Sequence, residues 1–128
     1  MPQITAAGHA LEYQWIEASG AATPALVFLH EGLGSIRQWR DFPEKVAMAT
    51  GCRALVYDRY GYGSSEVLRE AGVGVQFMHD GALKELPDFL EKLKIENPIL
   101  IGHSDGASIA LIHAGAGHPV RGVAVMAP

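Results

Sequence analysis

Four short apolar runs, at residues 25–30, 53–58, 98–102 and 120–127, constrain this chain more than any other feature. Each is rich in Val, Ile, Leu or Ala, and none alternates apolar with polar residues. A strand with one wet face alternates, because successive side chains point to opposite sides. A strand buried on both faces does not, and such strands belong to parallel sheets covered by helices. Two further strands are expected at residues 2–7 and 10–17, the second with a partial period of two. A turn is expected at residues 20–24.

Helical patterns lie between the runs. Trp39, Phe42, Val46 and Ala49 recur at spacings of three and four, Gly51 ends the pattern, and Pro43 fits only within the first turn. Ala82, Leu86, Phe89, Leu90 and Leu93 form a second stripe, with Lys84, Glu85, Asp88, Glu91 and Lys92 as its expected solvated face. Pro87 is expected to kink or split that helix. A third helix should run from 104 to about 114, its small residues allowing close packing on the sheet. Strands alternating with helices imply right-handed crossovers and an α/β fold, a three-layer sandwich on a mostly parallel sheet. In such folds the chemistry sits in loops beyond the carboxyl ends of the strands.

Composition narrows the function. A chain of 128 residues without repeats or low-complexity linkers suits one domain. Its net charge is −4 and its ten Lys and Arg form no run, which argues against nucleic acid. The single cysteine, Cys52, has no internal disulfide partner and suits a core position. No apolar stretch approaches the ~20 residues of a membrane span. The opening Met-Pro-Gln-Ile-Thr lacks the features of a signal peptide, so a cytoplasmic location is expected.

Three motifs fall after apolar runs. Gly102-His103-Ser104-Asp105-Gly106 fits G-x-S-x-G between a strand and a helix, the pattern of a nucleophile elbow, and nominates Ser104. His30-Glu31-Gly32-Leu33-Gly34-Ser35 follows the first run, where a loop can lend a backbone N–H to an oxyanion hole. Asp58-Arg59-Tyr60-Gly61-Tyr62-Gly63-Ser64-Ser65 follows the second. These glycines fail as a dinucleotide fingerprint, because Glu66 stands where the last Gly should be. Tyr60, Tyr62 and Trp39 suit either a pocket mouth or the core.

Taken in order, the motifs resemble the α/β-hydrolase superfamily, in its serine-nucleophile, esterase-like branch. The resemblance runs from about residue 10 to the end and covers the N-terminal part of that domain, with strands one to six. It implies hydrolysis of an ester or related bond through an acyl-enzyme at Ser104, with no metal and no organic cofactor. A serine here separates the chain from the dehalogenase and epoxide hydrolase branches, which carry Asp. The resemblance also implies oxyanion donors at the N–H groups of Asp105 and Leu33, with Gly32 in the oxyanion loop. Glu31 departs from the usual His-Gly-Xaa and moves the first donor toward Leu33.

The triad order in this family is Ser, then acid, then His. After Ser104 the only carboxylate is Asp105, inside the elbow, and the only histidines are His113 and His118. A helix rises 1.5 Å per residue, which puts His113 ~13 Å away, beyond the reach of a general base. His30, His103 and Asp58 are expected to be structural. The segments carrying acid and base, and the lid, are therefore expected outside these residues, leaving a catalytically incomplete piece. The last strand would then be an apolar edge open to self-association. The alternatives are half of a split or dimeric hydrolase completed by a partner chain, or a non-catalytic binding module. The expected ligand is a small ester-like molecule.

Overall fold

The computed structural model describes residues 2–17, 22–31, 34–63, 65 and 75–127. Six strands form one sheet: β1 (Gln3–Ala6), β2 (His9–Ile16), β3 (Ala22–Leu29), β4 (Cys52–Tyr57), β5 (Ile99–His103) and β6 (Gly122–Met126). Their order is β1-β2-β4-β3-β5-β6. The first two strands pair as a hairpin and β2 joins β4 antiparallel; all other pairs are parallel. The hairpin turns at Ala7 and Gly8, both at positive φ (51° and 83°), the handedness a two-residue connection needs.

The four apolar runs became β3 to β6; β3 begins at Ala22, so residues 22–24 of the expected turn are strand, and residues 20–21 lie outside the described residues. The two central strands show why the runs do not alternate. Val27 and Leu29 of β3 pack with Leu55 and Tyr57 of β4 in one core cluster. Leu26 and Phe28 pack with Ala54 and Val56 in a second cluster. Both faces of these strands are therefore dry, and burying each such large side chain contributes on the order of 1.5–3 kcal/mol. One cluster takes in Leu86, Phe89, Ile109 and Ala110 from helices on its side of the sheet. The other takes in Ala47 and Trp39 from the opposite layer, together with Cys52, which is buried as expected. The result is the three-layer α/β sandwich.

Helix positions differ in two places from the periodicity. The first stripe splits into a 3₁₀ turn, Ile36–Trp39, and α1 (Phe42–Thr50), because Arg40 adopts φ 54° between them. Pro43 lies in the first turn of α1, and Gly51 closes it in the left-handed conformation at φ 72°. The second stripe is a run of α2 (Val75–Asp80), a π-helical segment Gly81–Glu85, and α3 (Leu86–Lys92). Pro87 falls in the first turn of α3, just after the π segment, where its missing N–H is accommodated. The extra residue in the π turn shifts the helical phase and carries Glu85 inward. Glu85 is 6% exposed, so its assignment to the solvated face is corrected. The last helix, α4, spans Asp105–Gly115 behind β5.

β6 closes one edge of the sheet, with Val125 and Met126 partly exposed. Among the described residues no helix is long and apolar enough to cross a membrane.

Candidate active site

Ser104 stands between β5 and α4 as the N-cap of the helix, at φ 57° and ψ −119°. An L-residue adopts this backbone only where the surroundings impose it, at about 1–3 kcal/mol. Two glycines make the turn sterically open. A Cβ on Gly102 would lie 2.6 Å from the carbonyl oxygen of Gly106 and 2.7 Å from the backbone of Ala107. A Cβ on Gly106 would run into the carbonyl oxygens of Leu29 and His30. Hydrogen bonds then hold the turn: Ser104 N–H donates to Met126 O at 2.8 Å, and Ser108 N–H donates to Ser104 O at 3.1 Å. Asp105 is the first helical residue, and a first-turn N–H has no acceptor within its own helix. The positive end of the helix dipole lies at the same point. Gly32 and Leu33, the expected oxyanion-loop positions, lie outside the described residues.

Beneath the elbow the two glycine loops are laced together. His30, at the end of β3, is buried, and its ring is fully engaged. Its Nδ1–H donates to Glu31 O at 2.7 Å, and its Nε2 accepts the Arg59 N–H at 3.0 Å. This bonding requires a neutral ring. Burial first, and the Arg59 charge second, push its pKa down to about 4. His30 is thus a strut between loops. Asp58 accepts the Ile36 N–H at 2.7 Å, and a Cβ on Gly63 would run into its carboxylate. Its backbone carbonyl takes the Ser65 hydroxyl, whose oxygen accepts the Glu12 N–H at 2.8 Å.

Arg59 is a residue that the sequence analysis did not single out. It is 2% exposed, donates from Nη2 to Asp105 Oδ2 at 2.9 Å, and lies 4.8 Å over the ring of Tyr62. Glu85, which the periodicity put on the solvated face, accepts the Tyr60 N–H. Burial raises its carboxyl to about 7, against the opposing pull of Arg59. The same burial, reinforced by Glu85, pushes the Tyr57 phenol well up. Tyr60 stacks on His9 at 3.6 Å, and Trp39 packs edge-on against Phe28, so both belong to packing.

The later histidines serve the far end of α4. His113 is buried, bonds Ala82 O through Nδ1 at 2.9 Å, and stacks on His118 at 4.5 Å. Both line a cavity with Pro87, Leu90 and Pro98, at the opposite end of β5 from the elbow. His103 lies 3.5 Å from Glu31, both partly exposed.

The family model described as the alpha/beta hydrolase family matches residues 26–128, and the chain belongs to that family. It is 29% identical over 107 residues to a proline iminopeptidase of Lactobacillus helveticus, covering 84% of this chain and 36% of that protein. It is 30% identical over 104 residues to an sn-1-specific diacylglycerol lipase of Danio rerio, covering 81% and 31% respectively. The chain thus spans about a third of the length of these relatives. Among solved structures, that of VinJ superposes with a TM-score of 0.78 at 26% identity, over 97% of this chain and 42% of the other.

Proposed function

We propose that this chain carries the nucleophile of a serine hydrolase acting on a small ester or related acyl compound. The observation behind this reading is Ser104 itself, a serine held at φ 57° between a buried strand and a helix N-terminus. In the proposed reaction Ser104 Oγ attacks the acyl carbon while a base takes its proton. The oxyanion accepts hydrogen bonds from the N–H of Asp105 and from the 32–33 loop. Collapse expels the alcohol or amine, which takes up that proton, and water then hydrolyses the acyl-enzyme. A relative named as an iminopeptidase and another named as a lipase support the acyl-transfer class without choosing the leaving group.

Acid and base are proposed to come from outside these residues, on chain that pairs along the β6 edge or on a partner. This fits the occupied state of the polar groups at hand: Asp105 is paired with Arg59, His30 is bonded at both nitrogens, and His113 is held by Ala82.

Exposure to a fluorophosphonate, with the modified residue mapped by mass spectrometry, tests this reading. Slow modification confined to Ser104 and absent in Ser104→Ala is expected. Modification at another residue that persists in Ser104→Ala would overturn the nucleophile, because a serine without its base reacts slowly and the site of reaction is what identifies it. Multiple turnovers of p-nitrophenyl acetate lost in Ser104→Ala would overturn the external origin of acid and base.

A further inference from the structure

We propose that Arg59 is a positioning residue for the Ser104 elbow, its buried guanidinium gripping Asp105 and so fixing the first turn of α4. This rests on the reading of Ser104 as nucleophile.

Arg59 comes from the loop after β4, whereas Asp105 comes from the elbow after β5, and β3 lies between those strands. The 2.9 Å contact therefore ties the turn to a loop two strands away. Arg59 itself is clamped. Its backbone N–H is held by His30, its side chain lies over Tyr62, and it is 2% exposed. A fully buried cation is strongly disfavoured unless paired. Asp105 supplies that pairing at close range. Arg59 Nε and Asp105 Oδ1 are buried without a hydrogen-bond partner among the described residues, so the pair rests on one direct contact. Besides compensating a buried charge, the contact has a local consequence. It acts on one residue, and that residue carries the N–H proposed to face the oxyanion and directly follows the strained serine. Small displacements at such a position are amplified, about 1 Å costing up to ~100-fold in rate.

The test compares two amides of one helix in the intact 128-residue chain. Ser108 N–H closes the elbow turn onto Ser104 O, whereas Ala116 N–H bonds Ile112 O at the far end. In Asp105→Asn, which keeps the shape, Ser108 is expected to exchange about tenfold faster with Ala116 unchanged. Fluorophosphonate modification of Ser104 should slow on the order of tenfold or more. Arg59→Lys should recover part of the rate that Arg59→Met loses. Unchanged Ser108 exchange in Asp105→Asn overturns the proposal, as does equal acceleration at Ser108 and Ala116, which marks a general loss of stability. If the parent chain is modified at another residue and not at Ser104 while Ser108 alone accelerates, the positioning role stands and the nucleophile reading falls.

Discussion

The backbone N–H of Ser104 donates to the carbonyl oxygen of Met126 at 2.8 Å, so the strained tip of the elbow is held by the neighbouring parallel strand. The hydrogen bond continues the β5–β6 ladder, in which His103 pairs with Met126, by one more step into the turn. Strain at φ 57° persists because ladder, helix and two glycines all impose it.

Relief of that strain is measurable. Glycine tolerates the Ser104 backbone without penalty, whereas alanine does not. Ser104→Gly is expected to raise stability to urea by about 1 kcal/mol over Ser104→Ala, both being inert toward a fluorophosphonate. Equal urea midpoints for the two variants would show that the turn stores no strain.

Two glycines of the same helix should respond with opposite sign. At Gly106 an added Cβ meets the backbone of Leu29 and His30, which cannot swing away. Gly106→Ala is expected to destabilise by about 1–3 kcal/mol. At Gly115 a Cβ meets nothing within 4 Å, and Gly115→Ala should stabilise by about 0.5–1 kcal/mol. Chemical denaturation of both variants decides it, and destabilisation at Gly115 would count against the close-packing account.

Glu85 and His30 make opposed contributions to the pH dependence of stability, and His113, whose pKa burial lowers, adds in the sense of His30. Unfolded Glu85 titrates near 4.5 and folded Glu85 at about 7, so the folded chain binds the extra proton between those values. Stability from this group is present below 4.5 and is lost as pH rises toward 7. For His30 the folded value is about 4 against 6.5 unfolded, so its contribution is present above 6.5 and is lost as pH falls toward 4. Each is worth roughly 3 kcal/mol at full extent, and they offset each other between pH 4.5 and 6.5. Glu85→Gln retains an acceptor for Tyr60 and removes one slope. From pH 6.5 to 4.5 its stability should fall by about 3 kcal/mol more than that of the parent chain, because the Glu85 contribution no longer offsets the histidines. A variant whose stability follows that of its parent across this range would refute the Glu85 assignment.

Periodicity located the strands because the signal for a doubly buried strand is local. Val27 faces one cluster and Phe28 the other, so neither can be polar. The elbow was equally local, since a tight strand-to-helix turn needs small residues at fixed offsets, and Gly102 and Gly106 stand there. The phase of the second helical stripe was not local. Glu85 looked solvated on a regular 3.6-residue wheel, and the π turn before Pro87 rotated it inward. Arg59 gave no pattern, because a lone arginine after a buried strand has the same sequence appearance whether it meets solvent or a carboxylate.

The amino-acid order by itself determined the layering, the sheet's parallel character and the place of Ser104, because each follows from which side chains avoid water and which backbone angles small residues allow. Only the tertiary structure decided that His30 is a neutral strut, that Glu85 is buried, and that Arg59 holds Asp105. Those outcomes depend on partners brought together from separate strands, and long-range charge pairing has no period that a sequence can display.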